Sequence, residues 1–390
     1  MIRASLPSSA PPLARVNGAG PTGTLAALAL ARAGWRVELV DPLSPAQLAA
    51  RSRAYALTHS SRRLLQDLGL WHRLQQALTP FRWLELCDRG LHQQLRFSAA
   101  DLHGGSGGED QAVGWIVQHP PLMASLLEAA QAESAIQLRL GAEPGGLDPA
   151  VALLIAADGY RSSMATASGL RRWGFPYRQG CLTAQVRLRG SAPDQAWELF
   201  RPEGPFAVLP LGGDAFQLVW SAPLAKLRRL EQLDGAAFLD ALSAALPETL
   251  QAEVLLDEPR AWPVGFELVW PLWRGRLLVL GEAAHRCHPV GGQGLNLCWR
   301  DVACLQCLAE RCSTGRLRPS LLPRAFAMRR LPDLLLVLLA TDALVRLFSN
   351  RWPPLLALRG VALSLLARWP WLRAVVLAAM THGPCRLLRP

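Results

Sequence analysis

A glycine-rich turn near the start of the chain constrains the fold more than any other feature of the sequence. It reads Gly18-Ala-Gly20-Pro-Thr-Gly23 and stands between an apolar run, 13–16, and a helical pattern, 24–33. In a strand–turn–helix unit, the first glycine permits the tight turn, the second lets the backbone approach a pyrophosphate, and the third permits close packing of the helix. The helix N-terminus also favours negative charge. The turn therefore predicts a dinucleotide-binding βαβ unit.

Further residues belong to this predicted site. Asp41 follows the next strand, 36–40, and lies 18 residues past the last glycine of the turn. An acid at this place typically accepts hydrogen bonds from the adenosine ribose of a dinucleotide. Pro21 and Thr22 complete the turn and are expected to contact the same cofactor. Asn17 is polar where a buried strand would continue, so we expect the strand to end before it.

Composition narrows the class of protein. The chain has 390 residues, enough for two or more compact units, and is 51% hydrophobic. No uncharged run approaches the roughly 20 residues that span a bilayer, so we expect a chain that does not cross a membrane. Lys and Arg number 41 against 30 Asp and Glu, a net charge of +11, which attracts nucleic acid, anionic lipid or phosphorylated cofactors. Because the arginines are scattered and no recognition motif accompanies them, we expect no nucleic-acid partner.

The eight cysteines are dispersed and predict reduced thiols in a cytoplasmic protein. Cys304 and Cys307 form the one close pair, and neither a second pair nor histidines at zinc-ligand spacing accompany it. On a helix the two residues would share one face, where small residues usually pack. The sequence therefore predicts no metal site.

A second glycine-rich run lies far along the chain. An apolar strand, 276–280, leads into Gly281-Glu282, and a turn with Pro289 and three more glycines precedes the helical pattern 295–311. This run resembles the second FAD fingerprint of the aromatic-ring hydroxylases, which are single-component flavoprotein monooxygenases, at almost every diagnostic position. The resemblance implies an FAD contact for Gly281, Glu282, Pro289, Gly292, Gln293, Gly294, Leu295 and Asn296.

The resemblance also implies what these residues do. The carboxylate of Glu282 would meet the ribityl hydroxyls, and Pro289 and the glycines would bring backbone against the flavin. A helix beginning near Asn296 would direct its positive end at the pyrimidine side of the ring and stabilise the anionic reduced flavin. Glu282 stands where the family usually has the shorter Asp, so affinity for FAD is expected to suffer.

A third motif, Asp158-Gly159-Tyr-Arg161, follows the apolar strand 151–156. An Asp-Gly pair alone is an ordinary turn. In this position it resembles the family's middle Asp-Gly motif, which is associated with both FAD and the nicotinamide nucleotide. The family often has an arginine a few residues later, where this chain has Ala165.

Two single residues complete the predicted cofactor site. Arg53 matches the arginine that the family places against the flavin nucleotide, with Arg51 as a second candidate and a solvated arginine as the alternative. Gln118 stands where the family has Gln or Glu near the cofactor. A helix-capping role for Gln118 is equally open.

The resemblance implies an α/β fold with three parts. These are a Rossmann-like FAD-binding domain, a mixed-sheet substrate domain like that of para-hydroxybenzoate hydroxylase, and a helical C-terminus. Alternating apolar residues between 181 and 220 independently favour a sheet in the middle region. We expect FAD-binding segments at 13–80, 113–175 and 273–330, substrate-domain segments at 81–112 and 176–272, and the C-terminal helical region at 331–390.

The implied enzyme is an FAD-dependent monooxygenase. NADH or NADPH would reduce FAD, O₂ would react with the reduced flavin, and one oxygen atom would pass to a phenolic carbon. The cofactor carries this chemistry, while the protein supplies position, a dry cavity and electrostatics. The alternatives are a non-hydroxylating FAD oxidoreductase of the same fold and a non-catalytic binding protein of a quinone pathway.

Segments 201–210 and 329–350 resemble the quinone-biosynthesis branch of the family in particular. This likeness implies an aromatic, lipid-tailed precursor of ubiquinone type as substrate, and it is compatible with membership of a quinone-biosynthesis complex. No residue presents itself as the substrate base, because His92 and His119 have no motif support.

The C-terminal region predicts contact with the inner surface of a membrane without crossing it. From residue 331 onward seven arginines face two aspartates, a net charge of +5. Tryptophan, which favours the water–lipid boundary, occurs among apolar residues at roughly helical spacing. Helices that pack on the cofactor domain are the alternative. The residues concerned are Arg346, Arg351, Arg359, Arg368, Arg373, Arg386 and Arg389, with Trp352, Trp369 and Trp371.

Overall fold

Three β-sheets and thirteen α-helices are formed by the residues that the computed structural model describes, which are 10–103, 112–141, 143 and 148–386. The strands are β1 (Leu13–Asn17), β2 (Arg36–Asp41), β3 (Ala54–Leu57), β4 (Leu78–Phe81), β5 (Trp83–Asp88), β6 (Gln93–Ser98), β7 (Gly114–Gln118), β8 (Ile136–Leu140), β9 (Val151–Ala156), β10 (Arg171–Arg189), β11 (Gln195–Phe200), β12 (Phe206–Gly212), β13 (Ala215–Pro223), β14 (Gln251–Leu255), β15 (Arg260–Trp270), β16 (Trp273–Arg274), β17 (Leu277–Val279) and β18 (His285–Arg286). The helices are α1 (Pro21–Arg32), α2 (Pro45–Ala49), α3 (His59–Asp67), α4 (Trp71–Leu74), α5 (Ala100–His103), α6 (His119–Ala132), α7 (Ser163–Ala167), α8 (Leu224–Glu231), α9 (Gly235–Ser243), α10 (Gln293–Ser313), α11 (Leu322–Phe348), α12 (Pro353–Arg368) and α13 (Pro370–His382).

The first sheet has six strands in the order β16-β17-β9-β1-β2-β8. Strands β17, β9, β1, β2 and β8 pair in parallel, and β16 joins as an antiparallel edge. Its apolar side chains lie in the largest core cluster of the described residues, with Val16, Leu39 and Ile155 among them. Strand β1 is one residue longer than predicted, because buried Asn17 continues it and donates from Nδ2 to the Met164 sulfur at 3.1 Å.

The second sheet is mixed, as predicted. Its strands follow the order β18-β15-β10-β13-β12-β11-β5-β6, with β14 paired to β10. All neighbours are antiparallel except β11 and β5, which run parallel. Phe216 and Leu218 on one side of this sheet share a core cluster with Phe238 and Leu242 of α9. A small antiparallel sheet, β3-β7-β4, lies beside it. These features confirm the predicted fold class.

The predicted domain boundaries remain predictions, but two strands run across them. Strand β10 passes through the expected boundary at 175–176 and pairs with β15 on both sides of it. Strand β18, inside the expected third FAD-binding segment, pairs with β15 of the substrate sheet. The two sheets are therefore joined by continuous backbone and by strand pairing.

A buried network of charged side chains fastens α11 to α10 and to the turn before it. The carboxylate of Asp301 accepts hydrogen bonds from His285 Nε2 at 2.7 Å, from Arg330 Nε at 2.7 Å and from the Gly281 N–H at 3.1 Å. Arg330 also donates to Asp333 at 2.6 Å. Burial alone would raise the pKa of Asp301, but His285 and Arg330 more than offset it and hold the pKa at about 2. Asp301 is therefore ionised at neutral pH.

Helices α12 and α13 are held against the rest of the molecule by a second buried cation. The Arg359 guanidinium is 1% exposed, donates to the Phe348 carbonyl at 2.8 Å and lies 3.5 Å from the Asp88 carboxylate. Within the described residues no single helix is long and apolar enough to cross a bilayer. Together α12 and α13 have enough length and apolar character, but the chain bends by 105° between them.

Replacing Asp301 with Ala is expected to destabilise the protein strongly, because Arg330 and His285 would stay buried without their anion. Breaking a buried ion pair costs about 3–5 kcal/mol, which urea-induced unfolding followed by tryptophan fluorescence should show as a lower midpoint. The pKa of Asp301 lies below its usual 3.8, so its contribution is complete above that pH and is lost as the pH falls through about 2.

The matched control is Asp214→Ala, which removes an exposed carboxylate 3.7 Å from Arg187. A surface pair of this kind contributes less than about 1 kcal/mol. Equal midpoints for the two variants would show that the network does not stabilise the fold.

Candidate functional site

The three predicted FAD motifs meet at one edge of the first sheet. The pairing register aligns Val40 with Asn17, Asn17 with Ala156, and Ala156 with Val279. Asp41, the Gly18 turn, the Asp158 motif and Gly281 follow within two residues of that row. All four strands run parallel, so these residues come together at their carboxyl ends, the usual ligand-binding edge of an open α/β sheet.

The first glycine turn has two kinds of glycine. A Cβ on Gly18 would collide with the Ala157 backbone, and one on Gly23 would collide with the Gly18 carbonyl, so these two are required by packing within the protein. A Cβ on Gly20 would meet nothing within 4 Å. Gly20 is therefore open on the side where the predicted pyrophosphate would lie.

Asp41 holds the same turn in place. One carboxylate oxygen accepts the Ala19 N–H at 2.7 Å and the other accepts the Leu43 N–H at 2.8 Å. Because each oxygen can accept a second hydrogen bond, Asp41 keeps capacity for the ribose predicted for it. Pro21 and Thr22 open helix α1, and the Thr22 side chain lies against Gly281, which has a φ of 65°. This contact joins the first motif to the second.

The second motif borders a cavity of about 650 Å³. Glu282 is exposed and faces the cavity from the turn after β17. Gly292 has a left-handed φ of 62° and directly precedes α10. Helix α10 begins at Gln293, three residues earlier than expected from Asn296. The cavity is lined from this motif by Glu282, Pro289, Gly292, Gln293, Gly294 and Leu295.

The side chains of two predicted cofactor contacts already make hydrogen bonds within the protein. Asn296 is 1% exposed: its side-chain oxygen accepts from the Thr58 N–H and from the Ser61 hydroxyl, and its nitrogen donates to the Ala56 carbonyl. The Gln293 amide donates to the carbonyls of Gly291 and Met380. We therefore propose that these two side chains position residues 281–292, called here the flavin-binding turn.

The middle motif lies beside the first turn. The Asp158 carboxylate accepts the Ser163 N–H, the first of the short helix α7, at 3.1 Å, and Gly159 has a positive φ of 86°. The Arg161 guanidinium lies 5.2 Å from the ring centre of Tyr160, and that of Arg286 lies 4.5 Å from it. Ala165, where the family often has an arginine, is buried in α7.

Strand pairing brings Arg53 and Gln118 together although 65 residues separate them. Ala54 pairs with Gln118, and the Arg53 guanidinium lies 4.7 Å from the ring centre of Trp262 at the cavity wall. Arg51 is exposed and is not among the cavity-lining residues described. Gln118 is the N-cap residue of α6 by position, but its side chain makes no capping hydrogen bond. Its contact with the cofactor remains a prediction.

The two histidines considered as substrate bases do not suit that role. His92 is exposed in the β5–β6 turn. His119 Nε2 lies 2.7 Å from the Leu48 carbonyl and must donate to it, so Nδ1 accepts from the Tyr55 hydroxyl at 2.9 Å. Burial also lowers the pKa of His119. Both of its ring nitrogens are in use.

One further cavity residue, Glu198, has no motif in the sequence that would point to it. It lies on β11, is 8% exposed, and lines the cavity among apolar neighbours. Burial raises the pKa of Glu198 to about 7, although a hydrogen bond from the Gly291 N–H opposes the shift. A single glutamate in a strand carries no recognisable spacing, so only the fold reveals it.

The residues present fit FAD. The open space beside Gly20 and Gly294, where a Cβ would meet nothing within 4 Å, is a cradle for backbone contact with a cofactor. Gly20 with α1 would hold the pyrophosphate, Asp41 the ribose and Glu282 the ribityl chain. The flavin ring would then lie at the cavity, beside Pro289 and Gly292. Across the described ranges, no group of three His, Cys, Asp or Glu is placed to hold a metal ion.

Comparison with known proteins agrees with this geometry. The family model described as "FAD binding domain" matches residues 14–148 and 148–331. Ubiquinone hydroxylase UbiL of Rhodospirillum rubrum is 32% identical over 386 residues, which cover 90% of this chain and 85% of that protein. The 3-demethoxyubiquinol 3-hydroxylase of Escherichia coli is 28% identical over 375 residues, 90% of this chain and 94% of that protein.

Among solved structures, p-nitrophenol 4-monooxygenase PnpA from Pseudomonas putida DLL-E4 superposes with a TM-score of 0.77. The match covers 96% of this chain and 98% of that one. Sequence identity is 18%, so this likeness supports the fold alone.

Replacing Gly20 with Val is expected to remove FAD without unfolding the chain. The new side chain meets no protein atom within 4 Å at its Cβ and enters the space proposed for the pyrophosphate. Purified protein should lose most of its bound flavin, measured as flavin absorbance relative to protein absorbance.

Gly235→Val is the matched control, because Gly235 lies outside this site and its Cβ would meet only Leu255, at 3.9 Å. Full flavin occupancy in the Gly20 variant would contradict the prediction that Gly20 lies beside the pyrophosphate of FAD.

Proposed function

Because this chain belongs to the FAD-binding-domain family, among the FAD-dependent aromatic hydroxylases, we propose that it hydroxylates a phenolic ring that carries an apolar, isoprenoid tail. It is an FAD-dependent monooxygenase, with NAD(P)H and O₂ as co-substrates, as is general for the family. FAD supplies the hydride acceptance and the activation of O₂. The proposal adds the substrate class to this family activity.

The shape and lining of the cavity carry the proposal. The cavity begins at the flavin-binding turn and continues between the second sheet and the C-terminal helices, with a volume of about 650 Å³. An apolar wall of this size suits a ring with a hydrocarbon tail and excludes the water that would compete for the oxygen atom. The C-terminal helices line it with Leu344, Leu347, Leu363, Leu366, Val376 and Leu377.

The same helices are apolar on their outer side, which supports entry of the substrate from a membrane surface. Leu358 and Val361 of α12 and Trp371 and Val375 of α13 are exposed by 47–62%. Trp352, before α12, is 61% exposed. A patch of this kind favours the boundary between water and lipid. A single layer of helices would then separate the membrane from the cavity.

Charge contributes less to this membrane contact than the sequence suggested. Arg359 is buried and Arg346 pairs with Asp342 at 2.7 Å. Arg373 lies 3.3 Å from Asp101. Arg351 and Arg368 are exposed in the described tail, as is the paired Arg346. The Arg386 side chain and Arg389 lie outside the described residues. The membrane proposal therefore rests on the apolar and aromatic side chains.

The substrate class can be tested with 2-geranylphenol, a phenol with a short isoprenoid tail. The FAD-loaded protein, supplied with NADH or NADPH and isotopically labelled O₂, should insert one labelled oxygen atom into the ring, detected by mass spectrometry of the product. Phenol without a tail is the matched control and should react more weakly, because it leaves the apolar wall unfilled. Nucleotide oxidation with no labelled product from either compound would favour the non-hydroxylating alternative.

Co-sedimentation with liposomes tests the membrane contact. The parent protein should sediment with neutral and anionic vesicles alike, and added salt should release little of it, since burial of apolar area dominates. The double variant Val361→Glu, Trp371→Glu should stay in the supernatant. Val254→Glu, at a residue 42% exposed on β14, is the control and should sediment like the parent. A parent protein that never sediments would show that the tail is structural only.

A further inference from the structure

We propose that Glu198 binds the substrate's ring hydroxyl and takes its proton as the ring is attacked, an inference that rests on the phenolic substrate proposed above. Glu198 lines the same cavity as the turn proposed to hold the flavin. The proton moves from the phenol oxygen to a carboxylate oxygen of Glu198, and the negative charge left on the ring oxygen enriches the ring carbons in electron density.

The strand register shows which side chains lie beside Glu198 in the cavity. Across the sheet, Glu198 pairs with Ala207, Ala207 with Val219, and Val219 with Thr183. All four line the cavity, and the three on the β12 side of Glu198 are small. On its other side Glu198 pairs with Leu86 of β5, which also lines the cavity. The short side chains on the β12 side leave room beside the carboxylate for an aromatic ring.

One backbone N–H lies near the carboxylate on the flavin side. The Gly291 N–H, in the turn that precedes α10, favours the ionised form of Glu198 and limits the rise of its pKa. Gly291 is in the left-handed region with a φ of 66°. A carboxylate has capacity for more than one donor, so this contact leaves an acceptor on Glu198 for the ring hydroxyl.

Of the other titratable groups of the described cavity wall, Glu282 is the residue proposed to hold the ribityl chain, and most of the rest are engaged elsewhere or unsuited to the task. His285 is bonded to Asp301, Tyr55 to His119, and Arg286 to Glu267. Burial raises the pKa values of the thiols of Cys181 and Cys287 to about 12. The groups that face the cavity with Glu198 are Arg53, just before β3, Tyr55 from β3, Cys181 from β10, and Glu282, His285, Arg286, Cys287 and Cys298 from the flavin-binding turn and α10.

Burial sets the pKa of Glu198 to suit this task. Burial raises the pKa to about 7, and the Gly291 N–H limits the rise. The group therefore accepts a proton above about pH 7 and is neutral below it. A general base is most effective when its pKa lies near the working pH.

Binding without turnover gives the first test. With oxidised, FAD-loaded protein, flavin absorbance changes report the affinity for 2-geranylphenol and for its methyl ether, which has no hydroxyl proton. The parent should prefer the phenol on the order of tenfold at pH 8, as expected for a hydrogen bond to a charged group. That preference should shrink as the pH falls through about 7. In Glu198→Gln the preference should be small and independent of pH.

Turnover gives the second test. Glu198→Gln should form product about 10²-fold more slowly, the lower range for loss of a general base, and should lose the rise of rate with pH around 7. Glu198→Asp keeps a titrating carboxylate and should retain that rise. The amide oxygen of Gln can still accept the Gly291 N–H, so a purely structural role predicts parent-like pH profiles. Glu253→Gln, on the exposed strand β14, is the matched control.

The outcomes separate the two proposals. If the parent binds and hydroxylates 2-geranylphenol and Glu198→Gln shows the same phenol preference and the same pH profile, Glu198 is not the base and the substrate class stands. If the parent neither binds nor hydroxylates this phenol, the proposed substrate class is wrong, and the role of Glu198 falls with it.

Discussion

The buried carboxylate of Asp301 is the interaction on which the arrangement of this protein depends. It binds the Gly281 N–H, His285 and Arg330 at once, and these three belong to the flavin-binding turn, to strand β18 and to helix α11. An ionised group costs free energy to bury unless it is paired, so the partners must reach it together. The network therefore couples the position of Glu282, beside Gly281, to the packing of the C-terminal helices.

Because of this coupling, the parallel sheet and the mixed sheet border the same cavity. The parallel sheet presents its motifs at the carboxyl ends of its strands, where helix N-termini and open glycines suit a phosphorylated cofactor. The mixed sheet presents a broad, largely apolar face. Strand β18 carries His285 in the network and pairs with β15 of the mixed sheet. Strand β18 therefore connects the cofactor-binding edge of the parallel sheet to the apolar face of the mixed sheet.

Helices α12 and α13 give the cavity its outer wall. They are apolar on the side that lines the cavity, with Leu363 and Leu377, and on the outer side, with Val361 and Trp371. When a helix is apolar on two sides, both sides must pack against other groups, or apolar side chains remain exposed to water. Buried Arg359, set between the Phe348 carbonyl and Asp88, holds this layer to the mixed sheet. Arg359 adds to the net positive charge of the tail, but its role in the structure is to pack α12 against the mixed sheet.

The sequence by itself determined the motifs, their order and the α/β class, because strand–turn–helix patterns and required glycines are local properties of the chain. Those motifs include residues that lie together at the carboxyl edge of the parallel sheet, among them Gly20, Asp41 and Glu282. Only the tertiary structure decided how side chains are used: Asn296 bonds within the protein, Arg359 is buried, and Glu198 faces the flavin-binding turn. Their partners lie tens to hundreds of residues away, and a hydrogen bond or a pKa depends on distance and burial, which spacing along a chain does not encode.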